Sequence, residues 1–407
     1  MQDTARKPKR HLRRTLLAVL AALIILPMLV WVWNPALVLV AGFEFANMLH
    51  RQAGVPGNCS GQWSLSINAS RPWLFPFYPE TNATYHLMVL DALAEADPVN
   101  FTLSGTLPKA RYTSLHVYDA DTAEILLART GEELTGGTGS NWQITVRQSG
   151  GQSGGDTTGT DSASIHPGAR RLAFVWRSYL PEGAEPLPGV WAVNSRTGAP
   201  IAGCRNRFTL PQTVTDAAAT RQRNAVLAQM LDQQADLANS GAADPIRFFI
   251  RHAASTPFFA NQHITYAFAP LKGSALPAII RFRPPPGLRY WSACIGGIRE
   301  TSTSACLGDF EIRADGEGRV TFLVGPDKTD LRDLANRNGW NFLRSDWFIG
   351  NRIFILRELV TGEVPPGAPL FANQPDFDNA KLLTEQFADT ALGEHAPVGR
   401  YCQRDGC

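Results

Sequence analysis

The chain repeats itself. Arg111-Tyr112-Thr113-Ser114 returns 178 residues later as Arg289-Tyr290-Trp291-Ser292, each after a Pro-containing approach and each opening an extended apolar run. At the same offset Leu134 falls on Ile312, and Trp142, Ile144 and Val146 fall on Val320, Phe322 and Val324. Phe174-Val175-Trp176-Arg177 matches Phe354-Ile355-Leu356-Arg357 at an offset of 180, and Thr84-Tyr85 matches Thr265-Tyr266 at 181. Register kept over roughly ninety residues, with drift confined to loops, is the signature of an internal duplication.

The repeated unit reads as β. Trp63, Leu65 and Ile67 alternate with Ser64, Ser66 and Asn68, as in a half-buried strand. From Arg111 to Tyr118, Thr113, Leu115 and Val117 point one way and Tyr112, Ser114, His116 and Tyr118 the other. Gly136-Gly137 falls between Leu134 and Trp142 as a hairpin turn would, and Phe310-x-Ile312, Asp315-Gly316 and Val320-x-Phe322-x-Val324 read as a second hairpin. Many short strands with Gly/Pro turns, twice over, predict two tandem jelly-roll-like β-sandwiches. Between them, residues 214–240 carry Val226, Leu227, Met230, Leu231 and Leu237 at helical spacing. A second helix is expected from Pro245 to His252, because Pro after Asp244 is a helix-start signal. A third is expected over Asn379 to Leu392, and Gly/Ser-rich residues 149–160 read as a mobile loop.

Charge is uneven. Residues 1–14 hold Arg6, Lys7, Lys9, Arg10, Arg13 and Arg14 against Asp3, leaving 32 Lys+Arg against 35 Asp+Glu beyond them. The mildly acidic remainder offers no basic stripe for nucleic acid. Thr15 to Trp33 then runs without a charge, about 28 Å as a helix, close to the hydrocarbon thickness of a bilayer. With the basic cluster on one side only, the positive-inside rule predicts a single-pass anchor with everything after about residue 42 outside the cytoplasm. A cleaved signal peptide is the rival reading; the long apolar core and the absence of a small-x-small site speak against it.

The cysteines fit that topology. All six lie beyond the apolar run, where an oxidising compartment allows pairing. Cys294 and Cys306 flank a short inter-strand connection and are expected to bond, as are Cys402 and Cys407. That leaves Cys59 with Cys204. Neither their spacing nor that of the histidines suits a metal site, and no cofactor is expected. The resulting organisation is a basic tail (1–14), an anchor (15–41), a first sandwich (57–212), a helical connector (213–258), a second sandwich (259–363) and a C-terminal Pro-rich loop, helix and disulfide tail (364–407).

Arg289-Tyr290-Trp291-Ser292, the Asp315-Gly316 turn, Gly339-Trp340-Asn341-Phe342-Leu343 and Phe354-Ile355-Leu356-Arg357 together resemble an uncharacterised bacterial β-sandwich family, domain of unknown function 1214 and its relative 1254. Arg344 stands where the family usually has Pro, and Glu358 where it often has Leu or Tyr. Related envelope proteins also show two cysteines after the Arg-Tyr-Trp-Ser strand. The resemblance implies a bacterial, jelly-roll-like fold, hence an inner-membrane protein facing the periplasm, and brings no activity.

Two readings of the repeated polar residues follow. Arg111, Tyr112, Ser114 and Arg177, with Arg289, Tyr290, Ser292 and Arg357, either hold strands in register inside each sandwich or line a site for an anionic ligand. Ser153 sits in a Gly-x-Ser-x-Gly match without the strand and helix of a nucleophile elbow. Asp119, Asp121, Asp315 and Glu317 are what turns require as well as what a hard cation requires. His252 and His263 fit no common metal spacing, and Trp340, Phe342, Trp347 and Phe348 read as a sandwich plug or a stacking surface. The expected function is an extracytoplasmic binding or structural module touching the membrane and an envelope protein, glycan or lipid. The alternative is an envelope enzyme that polarises an anionic or carbonyl-bearing substrate through the Arg/Tyr/Ser sets.

Overall fold

The computed structural model divides the chain at His50/Arg51. It describes residues 56–60, 63, 65–67, 79–91, 99–137, 139–148, 162–165, 169, 171–183, 185–201, 204, 217–252, 261, 263–298, 303–345, 350–359, 393–402 and 407. The expected anchor, the Gly/Ser loop, the helix over 379–392, Ser153, Trp347 and Phe348 lie outside them. Among the described residues no helix is long and apolar enough to cross a membrane.

The protein is mainly β. Among the described residues, nine strands form the first half: β1 (Leu65–Ile67), β2 (Ala83–Asp91), β3 (Val99–Thr106), β4 (Tyr112–Asp119), β5 (Ile125–Thr130), β6 (Asn141–Gln148), β7 (Ser162–Ile165), β8 (Arg171–Tyr179) and β9 (Gly189–Asn194). Nine more form the second: β10 (Phe249–His252), β11 (Ile264–Leu271), β12 (Ala278–Phe282), β13 (Tyr290–Gly297), β14 (Thr303–Gly308), β15 (Val320–Gly325), β16 (Asn341–Arg344), β17 (Arg352–Leu359) and β18 (Val398–Tyr401). The inner sheets run β1-β2-β8-β4-β5 and β10-β11-β17-β13-β14, the outer ones β7-β6-β3-β9 and β16-β15-β12-β18. Each strand of one half thus has its counterpart nine places later. Even the irregularity is copied: pairing shifts between Val117 and Tyr118 and again, 178 residues on, between Ile295 and Gly296.

Each half is a two-sheet sandwich whose core is filled by alternate residues. Leu115 and Val117 of β4 and Phe174 and Trp176 of β8 meet Phe101 and Leu103 of β3 and Ile144 and Val146 of β6. In the second half, Ala293, Ile295, Phe354 and Leu356 meet Ile280, Phe282, Phe322 and Val324. Residues 112–118 and all of β13 and β17 are nonetheless buried on both faces. The inner sheets are covered twice: by their outer partners, and by each other.

The expected disulfides are those present: Cys59–Cys204, Cys294–Cys306 and Cys402–Cys407. The linking helix spans Ala217–Asn239 (α2), and Leu227 and Met230 dock it against Phe249. Four local expectations are corrected. Pro245 opens an extended segment, not a helix, because Ile246 bridges Gly399 and Phe249–His252 pairs antiparallel with β11. Gly136 does not turn a hairpin; it caps the short helix Gly131–Thr135 (α1) in the left-handed conformation, with Thr130 and Glu133 forming a capping box at the other end. Phe310–Ile312 is no strand, since β14 ends at Gly308 and Phe310 is exposed. The tail is no appendage: β18 pairs with β12 and completes the second outer sheet, carrying that sandwich beyond residue 363. Trp340 and Phe342 pack below the helix Thr329–Arg337 (α3), with Leu331, Leu334 and the Cys402–Cys407 pair.

Candidate functional site

The eight repeated polar residues converge on one layer, between the two inner sheets. Alternation puts them there. On β4, Leu115 and Val117 take the core side, so Tyr112, Ser114, His116 and Tyr118 face the other sandwich. On β8 and β17 the same rule turns Arg177 and Arg357 into the layer, opposite Ser114 and Ser292 of the neighbouring strands. On the other side of each arginine stands a tyrosine, Tyr85 or Tyr266.

Several of the repeated residues bond across the layer, to the opposite sandwich. Arg111 of the first half pairs with Asp309 of the second (2.6 Å), and Arg289 of the second with Glu132 of the first (2.6 Å). Arg289 Nε also donates to the Arg111 carbonyl at 2.8 Å, and the Arg111 guanidinium lies over the Tyr290 ring. Asn82 Nδ2 donates to the Tyr290 hydroxyl at 3.4 Å, while the Tyr112 hydroxyl meets His263 Nδ1 at 2.7 Å. Such exchanges are what two copies related by a two-fold make with one another. Tyr112, Tyr179 and Tyr290 stack edge to face at 5.5 Å, with Ile264 and Leu359 closing the apolar centre. Burial pushes the Tyr112 phenol up to about 12 and that of Tyr179 well above its usual range, so these hydroxyls stay protonated donors.

Two polar corners flank that centre, and they differ. In the second-repeat corner Glu80, fully buried, receives Arg357 Nη1 at 3.1 Å and the hydroxyl of Ser292. Arg357 also lies 2.7 Å from Cys294 Sγ, within the Cys294–Cys306 bridge that joins β13 to β14. Burial works against the charged guanidinium, but Glu80 and the surrounding tyrosines outweigh it and hold Arg357 above its ordinary range. Glu80, Cys294 and Cys306 bring ligand-type atoms within 4.8 Å of one another. The sulfurs are bonded to each other, however, and an arginine occupies the centre, so the chemistry disfavours a cation.

In the first-repeat corner each filler is replaced. Asn261 stands where Glu80 does: each backbone carbonyl accepts from the N–H three residues on, that of Ala83 or Ile264. Each side-chain oxygen also accepts from the N–H two residues on, Asn82 or His263. His116 stands where Cys294 does, paired with Ala128 as Cys294 is with Cys306. Tyr118 stands where Gly296 does, and its hydroxyl accepts from Arg177 Nη2 at 2.8 Å. Ring contacts run from Tyr118 to His116 (5.8 Å) and on to His263 (5.4 Å). Burial, then Arg177 and His263, push His116 well below the usual imidazole range, so it is neutral. Both its ring nitrogens, Asn261 Nδ2 and Ser114 Oγ are buried without a hydrogen bond.

No family model matches the chain, and no curated protein does. Among solved structures it is similar to an uncharacterised protein from Burkholderia cenocepacia, with 12% identity and a TM-score of 0.49, over 79% of this chain and 82% of that one. It is also similar to the VPA0106 protein from Vibrio parahaemolyticus, with 14% identity and a TM-score of 0.33, over 70% of this chain and 87% of that one.

Elsewhere the carboxylates serve turns and ion pairs. Asp119 Oδ1 accepts from the N–H groups of Asp121 and Thr122, and Asp121 pairs with Arg171. Asp315 Oδ1 accepts from Glu317 and Arg319 in the same manner. His263 belongs to the layer. Glu80, Asn261, His116, Tyr118 and Tyr179 were not singled out from the sequence; extending the Thr84/Thr265 match four residues upstream pairs Glu80 with Asn261 and would have found two of them.

Proposed function

We propose that this chain is a single-pass, membrane-anchored protein whose two jelly-roll-type sandwiches form one extracytoplasmic, non-catalytic binding or structural module of a bacterial envelope. The observation that carries the non-catalytic part is the reciprocal bonding of the repeated arginines, with Arg111, Arg289 and Arg357 each engaged by a carboxylate of the opposite half. Groups spent on each other, two pairs at the rim of the layer and one buried within it, weld two sandwiches; they do not turn over a substrate. The disulfides support an oxidising compartment. The charge-free run after the basic tail supports the anchor and its orientation.

A second reading has one observation in its favour. Ser292 donates to Glu80 beside Arg357, the hydroxyl, base and cation of a nucleophilic site. All three are buried. The test is chemical denaturation of the purified, oxidised full chain, followed by tyrosine near-ultraviolet signal and by far-ultraviolet signal together. A welded module gives coincident transitions; separate transitions for the two signals count against it. Labelling of the native protein by a serine-directed phosphonate, lost in Ser292→Ala, would move the assignment to the enzyme.

A further inference from the structure

The three disulfides stand in different surroundings. Cys294–Cys306 joins β13 to β14, and β14 is the outermost strand of its inner sheet. Cys294 is fully buried on β13, whereas Cys306 is partly exposed on that edge. Arg357 Nη1 approaches the bridge unevenly, at 2.7 Å from Cys294 Sγ and 3.8 Å from Cys306 Sγ. The Ser292 hydroxyl lies 3.9 Å from Cys294 Sγ and the Glu80 carboxylate 3.4 Å from it. Among the described residues, neither of the other bridges has a guanidinium at its sulfurs. Cys59 Sγ lies 3.8 Å from the Gly57 carbonyl, and Cys402–Cys407 packs with Ala335, Trp340 and Phe342.

A thiolate opens a disulfide by attacking one sulfur in line, and the other sulfur leaves as a thiolate. Access governs which sulfur is attacked, and a neighbouring cation favours the sulfur that leaves. Here both choose alike. Cys294 and Cys306 are directly opposed, so the line from Cys294 through Cys306 runs from an inner strand towards the sheet edge. A nucleophile arriving from solvent meets Cys306, and the electron pair departs on Cys294, against Arg357. Glu80 opposes a second anion there, but it stands farther from the sulfur than Nη1 does. Tyr85 and Tyr266, which also face the guanidinium, are neutral because burial raises them.

We infer that Cys294–Cys306 is a thiol-exchange site, opened by a dithiol reductant that attacks Cys306 and displaces Cys294. The first thiolate of the reductant bonds to Cys306 Sγ as the bond to Cys294 breaks, and Cys294 Sγ keeps the electron pair. The second thiolate then attacks the reductant's own sulfur in the mixed disulfide. The reductant departs as a disulfide, and Cys306 leaves as a thiolate that takes a proton from water. The bridge gains two electrons and the dithiol loses two. β14 is thereby uncoupled from β13, while Glu80 and Arg357 still join the sandwiches. The inference is independent of whether the module is catalytic.

The test starts from the native, oxidised full chain in detergent. Glutathione, a monothiol, is added, the reaction is quenched in acid, and the modified cysteine is found by peptide mass spectrometry. The mixed disulfide is expected on Cys306; its appearance on Cys294 overturns the assignment. Dithiothreitol is then used to time the opening of each bridge. Cys294–Cys306 is expected to open about tenfold faster than Cys59–Cys204, whose opening clocks unfolding in the same molecule. Equal rates overturn the site, because the bridge would then open only in the unfolded chain. Glu80→Gln removes the opposing charge and is expected to raise that ratio further, a change that unfolding cannot imitate because it draws the ratio towards one. A fall in the ratio in folded Glu80→Gln overturns the role given to charge; if that variant does not fold, the two wild-type results decide.

Discussion

The corner around Glu80 and the corner around Asn261 occupy equivalent places in the two repeats, yet their polar groups are satisfied to different degrees. Both keep the arginine of the last inner strand, the serine beside it and the tyrosines that frame it. What changed is the filler: a carboxylate and a disulfide on one side, an amide and an imidazole on the other. The frame is what docking two sheets face to face requires. The filler is free to diverge, because a buried guanidinium is content with any arrangement that returns its hydrogen bonds and its charge. One corner has become cement, and the other retains unspent donors.

The sharpest way to break this comparison is to delete the fillers in turn. Glu80→Ala takes a buried carboxylate from the buried Arg357 and is expected to cost about 3–5 kcal/mol in urea denaturation. Asn261→Ala removes an oxygen that accepts from the His263 N–H and the Tyr112 hydroxyl, with no charge left behind, and is expected to cost about 1–2 kcal/mol. Equal losses would mean the corners are equivalent after all. Next in size is the bridge of the Glu80 corner: Cys294→Ala with Cys306→Ala releases a loop of 12 residues, worth about 3 kcal/mol on the chain-entropy account. Retained stability in that double variant would show that Glu80 and Arg357 hold the corner unaided.

A third pair contrasts the core faces of the closing strands, where Glu358 of β17 answers to Ser178 of β8. Burial pushes the Glu358 carboxyl up to about 8, and neither oxygen has a hydrogen bond. The folded state therefore holds a proton that the unfolded chain releases above its ordinary carboxylate range. Stability is full below about pH 4.5 on this account and is lost as pH rises towards 8. Glu358→Gln is expected to recover on the order of 1–3 kcal/mol at pH 8 and nothing at pH 4.5, read from melting curves at both. His116 works in the opposite direction. Its folded pKa is depressed, so the unfolded chain binds the proton first; stability is full above about pH 6.5 and falls as pH drops below it. About 1–2 kcal/mol is expected to go between pH 6.5 and 5, and His116→Gln should flatten that limb. His263, also depressed by burial, adds to the same limb and is the control variant.

Much of this frame was legible in the chain. Leu115 and Val117 against Tyr112, Ser114 and His116 is a period-2 pattern, and the repeat offsets alone align β4 with β13 and β8 with β17. What did not show was that the polar face of β4 meets its own copy. A strand polar on one side reads as half-solvated, and nothing local distinguishes water from a second polar sheet. Glu80 and Asn261 escaped because they precede their strands, where no periodicity marks them. Pro245 misled because Pro opens helices and edge strands alike, and only the distant Gly399 decides between them. β18 was hidden for the same reason: four residues near the C-terminus carry too little pattern to announce a partner at β12.

The smallest effect probes the rim, where the two copies remain most alike. Arg111–Asp309 and Arg289–Glu132 are reciprocal pairs, both partly open to solvent. Exposed ion pairs contribute about 0.2–1 kcal/mol and are screened by salt. A double-mutant cycle on Arg111→Gln and Asp309→Asn is expected to return a coupling in that range at low salt, shrinking towards zero in 1 M salt. The same cycle on Arg289→Gln and Glu132→Gln should return a similar value, because both pairs sit at the mouth of the same layer. A coupling several times larger at either rim would mean that the pair is effectively buried, and that asymmetry between the repeats extends from the corners to the edge.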